Sequence, residues 1–444
     1  MLLSKGRYSS RPAAIARFGG LRASALSCAH PRPMPEPIAP YHERLPDLER
    51  ELTDRGSLGL LVLDATPLGT IEDEYGTPAY EEVRQRMFKI LEESRGKDYR
   101  QGDVICLDRP RGLRFMFLLD RKRRRSVPLS VADLRTARGR VVASLAPNLA
   151  RAAFPYIKTP PHLDVGHGLA VHNPLLHTER VIERALEEAL LQAAHQRRAE
   201  ELAVLERLQD ILLRERIVTA FQPILRMQEG TIMGFEALSR GPRGSGLESA
   251  AALFGAAEDN KLQVELDRLC RRRALLSSAR IPSNAKIFVN TKPTTMRDPQ
   301  FRGKSLIDFL EKAQVAPDRV VIEITEQEVI ENHAIFRETM GYFTDLGMSF
   351  AVDDVGAGYS GLDTIAKLRP GYLKIDIGLV RDVHVSSVNR AMVKAIIALG
   401  HGIDAKVIAE GIGNEEENQV LRAMGVDFGQ GYHLARPDVG PEPA

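Results

Sequence analysis

The sequence predicts an α/β protein in two parts: a C-terminal closed barrel of strand–helix repeats and a smaller α/β domain ahead of it. Three observations carry this. From Ile217 onward a short apolar run, a loop and a helical segment recur about eight times in roughly 220 residues, a rhythm that suits closure better than an open sheet. Nine polar residues stand at the ends of those runs: Glu236, Asn290, Glu323, Glu326, Asp353, Asp354, Lys374, Glu410 and Gln430. Strands inside a parallel sheet should be apolar throughout, so polar ends in run after run point to one shared mouth. Finally, 444 residues exceed a single ordinary domain.

In chain order, the first thirty-five residues carry six Lys or Arg and no acid. That composition suits a targeting peptide, yet no apolar core or cleavage pattern accompanies it. Residues 1–45 are therefore expected as a disordered tail, or as a start placed too early, with Met34 the alternative first residue. Residues 46–194 alternate strands (58–64, 113–119, 167–171) with a helix at 80–93 and a mixed stretch at 131–145, the pattern of a small α/β domain.

A stretch without Pro or Gly follows over 177–216. Ile182, Leu186, Ala189 and Ala193, then Leu202, Leu205, Leu208 and Leu212, keep a four-three spacing around a polar break near 195–198. Two helices or one long helix are expected. They either join the domains and pair with a second subunit, or pack on their own domain. The connector is placed at 195–216 and the barrel at 217–437. Its strands are expected at 219–225, 232–237, 287–290, 320–324, 349–352, 372–375, 407–409 and 428–433. Helices are expected at 250–276, 305–314, 333–346 and 388–401, with a tail over 438–444.

With 43% hydrophobic and 27% charged residues the chain is globular. A net charge of +2 gives no argument for a nucleic-acid polymer as partner. The dense basic run Arg121-Lys-Arg-Arg-Arg125 reads as a solvated loop. Cys28, Cys106 and Cys270 lie far apart, which excludes a disulfide scaffold and suits a reducing, cytoplasmic setting. No apolar run approaches the ~20 residues of a membrane helix.

Carboxylates gathered at one mouth are costly unless they share a cation. Carboxylates with an amide oxygen are hard donors that suit Mg²⁺ or Mn²⁺, and no histidine stands among the nine to favour zinc. The adjacent pair Asp353-Asp354 adds to this. Neighbours on an extended strand point to opposite faces, so both serve one site only where the strand is ending, and one acid then bridges two ions. Two ions ~3.5–4 Å apart stabilise the attacking and leaving oxygens of a phosphodiester. Asp353-Asp-Val-Gly-Ala-Gly358 leads into a glycine loop suited to a lid. Lys374 within Tyr372-Leu-Lys-Ile-Asp376 needs anionic partners and is placed to orient or deprotonate a water. Arg240 is a candidate phosphate fork.

These residues carry a family resemblance. Phe221-Gln-Pro-Ile224 followed by Glu236-Ala-Leu238 and Arg240 resembles the opening of the EAL family of cyclic di-GMP phosphodiesterases. Val289-Asn290, Glu323-Ile-Thr-Glu326, Asp353-Asp-Val-Gly-Ala-Gly-Tyr-Ser360, Lys374-Ile-Asp376, Ala409-Glu-Gly411 and Gln430-Gly-Tyr432 resemble its later motifs, in order. The resemblance implies a TIM-like (β/α)₈ barrel with one strand reversed, hydrolysing cyclic di-GMP to linear pGpG with two Mg²⁺ or Mn²⁺. It implies that Glu236, Asn290, Glu323 and Asp353 hold the first ion and that Asp353 bridges to the second, on Asp354 and Glu410. Lys374 and Gln430 would position the water, Glu326 would anchor the lid, and Arg240, with Gln222 and Glu236, would meet substrate. Val355 stands where the family usually has Phe, Gly413 replaces a frequent acid, and the Trp usual after Arg240 is absent.

Leu60-Leu-Val-Leu-Asp64, Ile71-Glu-Asp-Glu-Tyr-Gly76 and 111–119 resemble a degenerate GGDEF domain, the diguanylate cyclase fold. Leu113 and Arg114 stand where its acids should hold metal, so no cyclic di-GMP synthesis is expected. Arg100-Gln-Gly-Asp103 resembles its inhibitory site at the wrong offset. GTP binding there and a homodimer are the further partners this resemblance suggests. The alternative function is a catalytically silent cyclic di-GMP receptor, which would be expected to lack some metal ligands or the lysine.

Overall fold

A computed structural model describes residues 38–119, 129–158, 160–331, 333–357, 365 and 368–439. The basic run at 121–125, Cys28 and the far side of the glycine loop lie outside the described residues. The chain divides into two compact units between Gln196 and Arg197.

In the first unit four strands, β1 (Ser57–Asp64), β2 (Val104–Leu107), β3 (Arg114–Leu119) and β4 (Asp164–Val171), form an antiparallel sheet in the order β2-β3-β1-β4. The short β2 had no alternating pattern to announce it. Leu61, Leu63, Phe115 and Phe117 pack on one face against the helix Thr77–Ser94, while Leu60, Val62 and Met116 pack on the other. Gly166 and Gly168 let β4 lie against the helix Thr178–Leu213, where a Cβ would collide with the carbonyls of Ala189 and Ala185. The tail expected to reach residue 45 ends earlier: Pro40 bridges to Leu107 and Tyr41 is buried. The stretch expected as two helices or one is a single helix, Thr178–Leu213, which continues through the polar break.

The second unit is a closed barrel of β5 (Val218–Arg226), β6 (Ile232–Arg240), β7 (Lys286–Asn290), β8 (Val320–Thr325), β9 (Ser349–Val355), β10 (Tyr372–Ile375), β11 (Lys406–Ala409) and β12 (Phe428–Gly429). β5 runs antiparallel to both neighbours and every other pairing is parallel. The fold class is therefore the one expected, a TIM-like barrel with one reversed strand preceded by a smaller α/β unit.

Three boundaries differ. The helix expected over 250–276 is two, Ala250–Asp259 and Gln263–Ser277, broken where Lys261 takes a φ of 57°. The strand expected to reach 433 stops at Gly429, because Gly431 turns against the Ile412 backbone with no room for a Cβ. Asp438, expected in a tail, pairs with Phe221 through two backbone hydrogen bonds of 2.8 and 3.0 Å.

Side chains two apart on a strand share a face, and this alternation builds the site. Ile224, Phe288, Val321, Ala351, Ile408 and Phe428 fill the barrel interior, with Tyr372 packed against them. Two residues further along on six of these strands stand Asn290, Glu323, Asp353, Lys374, Glu410 and Gln430. Each strand thus contributes an apolar rung and then a polar one, and the polar rungs share the C-terminal mouth.

Candidate active site

Lys374 sits at the centre of the polar layer, fully buried. Its Nζ lies 2.6 Å from Glu410 Oε1, 2.7 Å from Glu323 Oε1, 3.2 Å from Asp353 Oδ1 and 3.4 Å from Glu236 Oε2. The ammonium thus serves four carboxylates at once. One positive charge faces four carboxylates, which leaves a buried negative excess.

The titration directions reflect this crowding. Burial lifts Glu323 well above the usual carboxylate range, with Glu236 and Asp353 adding repulsion against the pull of Lys374. Burial likewise lifts Glu410, and the repulsion of Asp353 and Glu236 works the same way. For Glu236 burial acts upward too, but Lys374 and the Gln430 and Asn290 amides bring it below its ordinary value. For Lys374 burial pushes downward, and Asp353, Glu236, Glu323 and Glu410 together outweigh it and hold the ammonium protonated. A protonated lysine orients a water but cannot accept its proton.

Asp353 and Asp354 reach one site through an irregularity in the sheet. Leu373 pairs with Val352 and Ile375 with Val355, so two aspartates on β9 stand opposite the single Lys374 on β10. Asp354 takes a φ of 57°, and its backbone N–H donates to Asp353 Oδ1 at 3.0 Å. Burial, then the neighbouring Asp353 and Asp376 carboxylates, push its carboxyl up to about 6.

Two groups of acids result, Glu236–Glu323–Asp353 and Asp353–Asp354–Glu410, each with ligand oxygens within 4.8 Å of one another. Asp353 belongs to both. Each group could hold a divalent cation, and the residues fit one: the acids outnumber the one ammonium, the donors are hard oxygens, and Gln430 Oε1 is a buried acceptor with no hydrogen bond.

Amides tie the acids together. Asn290 Nδ2 donates to Glu236 Oε1 and Glu323 Oε2, both at 3.1 Å. Gln430 Nε2 donates to Glu236 Oε2 at 2.6 Å and Gln222 Oε1 at 3.1 Å, and Gln222 Nε2 donates to the Ala435 carbonyl. Gln222 therefore stands behind Gln430. Glu326 opens the helix Glu326–Glu331, and its Oε2 accepts from Gly356 N–H at 3.0 Å, gripping the base of the glycine loop. Gly356 has a φ of 96°, and a Cβ there would meet Leu379. Gly413, where the resemblance expects an acid, donates its N–H to Glu417 Oε2 at 2.8 Å. Glu417 Oε1 accepts from Asp382 N–H at 3.0 Å, so this buried carboxylate braces the loop after Glu410.

Above the acids opens a cavity of about 420 Å³, lined by Glu236, Asn290 and Glu323 and rimmed by Arg240 and Lys292. Arg240 is half-buried and donates to its neighbour's carbonyl. Lys292, paired loosely with Glu328 at 3.8 Å, was missed from the sequence although it follows the β7 strand end by two residues.

The EAL domain family model matches residues 205–437, just over half of the chain. The chain belongs to the EAL family. Among curated relatives, the bifunctional diguanylate cyclase/cyclic di-GMP phosphodiesterase MucR of Pseudomonas aeruginosa is 30% identical over 249 residues, covering 54% of this chain and 35% of MucR. The probable cyclic di-GMP phosphodiesterase PdeG of Escherichia coli is 28% identical over 228 residues, covering 50% of this chain and 44% of PdeG. The chain thus spans less than half the length of these relatives. Among solved structures, the EAL enzyme Bd1971, in a form bound to cAMP and cyclic di-GMP, matches with a TM-score of 0.50 and 25% identity, over 63% of this chain and 81% of that one. The EAL domain of FimX from Xanthomonas citri, in complex with c-diGMP, matches at 0.51 and 19% identity, over 56% and 99%, and shares the fold.

Proposed function

We propose that this EAL protein hydrolyses cyclic di-GMP to linear pGpG with two divalent cations, Mg²⁺ or Mn²⁺, lowering a bacterial signalling nucleotide. The observation that carries this reading is the pair of acid groups sharing Asp353 around a buried negative excess. The phosphodiesterase names of its relatives support the substrate.

Glu236, Asn290, Glu323 and Asp353 would hold one ion and Asp353, Asp354 and Glu410 the other. Asn290 would offer its Oδ1 to that ion with its amide flipped, an exchange of N and O in place. When bound, the ions supply charge neutralisation for the phosphoryl oxygens and lower the pKa of water. The chain's own groups do the rest. Lys374 orients the attacking water by donating a hydrogen bond and Gln430 by accepting one at its unpartnered Oε1, Arg240 grips a non-bridging phosphate oxygen, and Glu326 holds the base of the loop that closes over substrate.

For the first unit we propose a degenerate cyclase domain without synthetic activity. Asp64 at the end of β1 is paired with Arg114 at 3.1 Å, which supports the loss of a cation site there. GTP binding by that unit, a homodimer, a cytoplasmic location and a helical connector ending at residue 216, ahead of the barrel, belong to the same reading. Among the described residues, no helix is long and apolar enough to cross a membrane.

The test is direct. The purified chain with Mn²⁺ or Mg²⁺ should convert cyclic di-GMP to pGpG. Tight binding of cyclic di-GMP without turnover under both metals would overturn the hydrolase reading in favour of a receptor.

A further inference from the structure

A second cavity, about 780 Å³, lies beside the mouth and shares Arg240 with the first. Its walls come from the segment joining the helix Thr178–Leu213 to β5, the turn after β6 and the end of the helix Gln263–Ser277. Six arginines line it, Arg214, Arg216, Arg240, Arg243, Arg273 and Arg280, against two glutamates.

Local acids neutralise only part of this charge. Asp210 pairs with Arg214 at 2.7 Å and with Arg216. Glu215 is committed to Arg272, outside the lining, and Glu248 Oε1 to the Gly246 N–H. Arg240 and Arg280 donate to the carbonyls of Ser239 and Val439. Arg243 and Arg273 have no carboxylate partner among the described residues. Like charges within one concave, low-dielectric wall focus a positive potential that attracts anions.

Two polar atoms of the lining are also buried without a hydrogen-bond partner: Arg273 Nε, and the Oγ1 of Thr219, a residue only 3% exposed. A buried hydroxyl left unpaired destabilises the fold, a cost that an incoming acceptor removes.

Guanidinium forks match phosphate oxygens two at a time, and several forks around one cavity match a chain of phosphates better than a single one. Ile217, Val218 and Pro242 add an apolar wall against which a base can lie. We propose that this cavity binds a polyphosphate chain, of the kind carried by a nucleoside triphosphate or by inorganic tripolyphosphate, with Thr219 and Arg273 donating to it from the floor. Arg240 borders both cavities. The site stands on the barrel's own residues and does not rest on the hydrolase reading.

Calorimetric titration of the full-length chain in EDTA, at fixed moderate salt, tests this with GTP, tripolyphosphate and inorganic phosphate as probes. GTP and tripolyphosphate should bind, with inorganic phosphate at least ~10-fold weaker, since each charge-assisted hydrogen bond is worth roughly a factor of ten or more. Arg243→Glu, Arg273→Gln and Thr219→Val should each weaken tripolyphosphate, the first by at least ~10-fold. Circular dichroism checks that each variant is folded, and Arg243, exposed and unpaired, can be exchanged without disturbing the core. Equal affinities for GTP and tripolyphosphate assign recognition to the phosphates, and tighter GTP assigns part of it to the apolar wall. No binding of either probe overturns the proposal, as does binding that survives all three substitutions unchanged, which would place the anion elsewhere in the chain.

Discussion

The two units treat a strand-end carboxylate in opposite ways. In the first, Asp64 closes β1 and meets Arg114 at 3.1 Å, while Asp108 lies 3.7 Å from the same guanidinium, and the arginine remains a third exposed. Two mostly covered acids share one permanent, partly exposed cation. In the barrel, four acids share one fully buried ammonium. The lesson is about charge counts. A guanidinium beside the acid leaves little to attract a metal, whereas a surplus of carboxylates around one buried ammonium is relieved by protons or by a cation.

Experiments can break this contrast. The largest effect is expected for Asp353→Asn, which removes the oxygen shared by both acid groups. Loss of outer-shell partners alone costs ~10–100-fold in metal affinity or activity, so turnover of cyclic di-GMP should fall by more than ~10²-fold. Near-normal steady-state turnover would show that Asp353 bridges nothing.

Next is Lys374→Met, which leaves the four carboxylates with no buried cation. Removing one partner of a buried charge cluster costs about 3–5 kcal/mol. Urea unfolding in EDTA should register that loss, and added Mn²⁺ should recover more stability in the variant than in the parent. Equal recovery would mean that the ions and the ammonium do not share the same carboxylates. Arg114→Ala in the first unit removes a partly exposed pair and should cost only about 1 kcal/mol or less.

The pH dependence is smaller but has a definite sign. Asp354 is pushed from 3.8 to about 6 in the folded chain, and Glu323 and Glu410 are raised as well. The folded state therefore binds more protons than the unfolded one through this range, so stability falls as pH rises. In EDTA Asp354→Asn should melt above the parent at pH above about 6, and that gain should shrink as pH drops toward 3.8. Saturating Mn²⁺, which competes with protons for these oxygens, should remove the gain. A variant that melts no higher than the parent above about pH 6 in EDTA would contradict the crowding described for the site.

Much of this arrangement was legible in the sequence because strand alternation has an integer period. Once 320–324 reads as a buried strand, Glu323 must share a face with Val321, and the same step places Asn290 above Phe288 and Glu410 above Ile408. What escaped lacks such a rule. The strand Val104–Leu107 is too short to alternate, and the break at Lys261 depends on a single backbone angle. The arginine cavity gathers residues from four separated segments that no pattern links. Gln222 was placed toward substrate by its motif, and only the side-chain contacts put it behind Gln430.

The bulge on β9 carries a consequence for how such chemistry can arise. Its two-for-one pairing opposite Lys374 is the sole reason that Asp354 joins its neighbour at the mouth. Deleting that one codon would restore a regular ladder, leave the other donors in place and erase the second acid group. The difference between one acid group and two at this mouth is thus a single inserted amino acid, a step within reach of replication slippage.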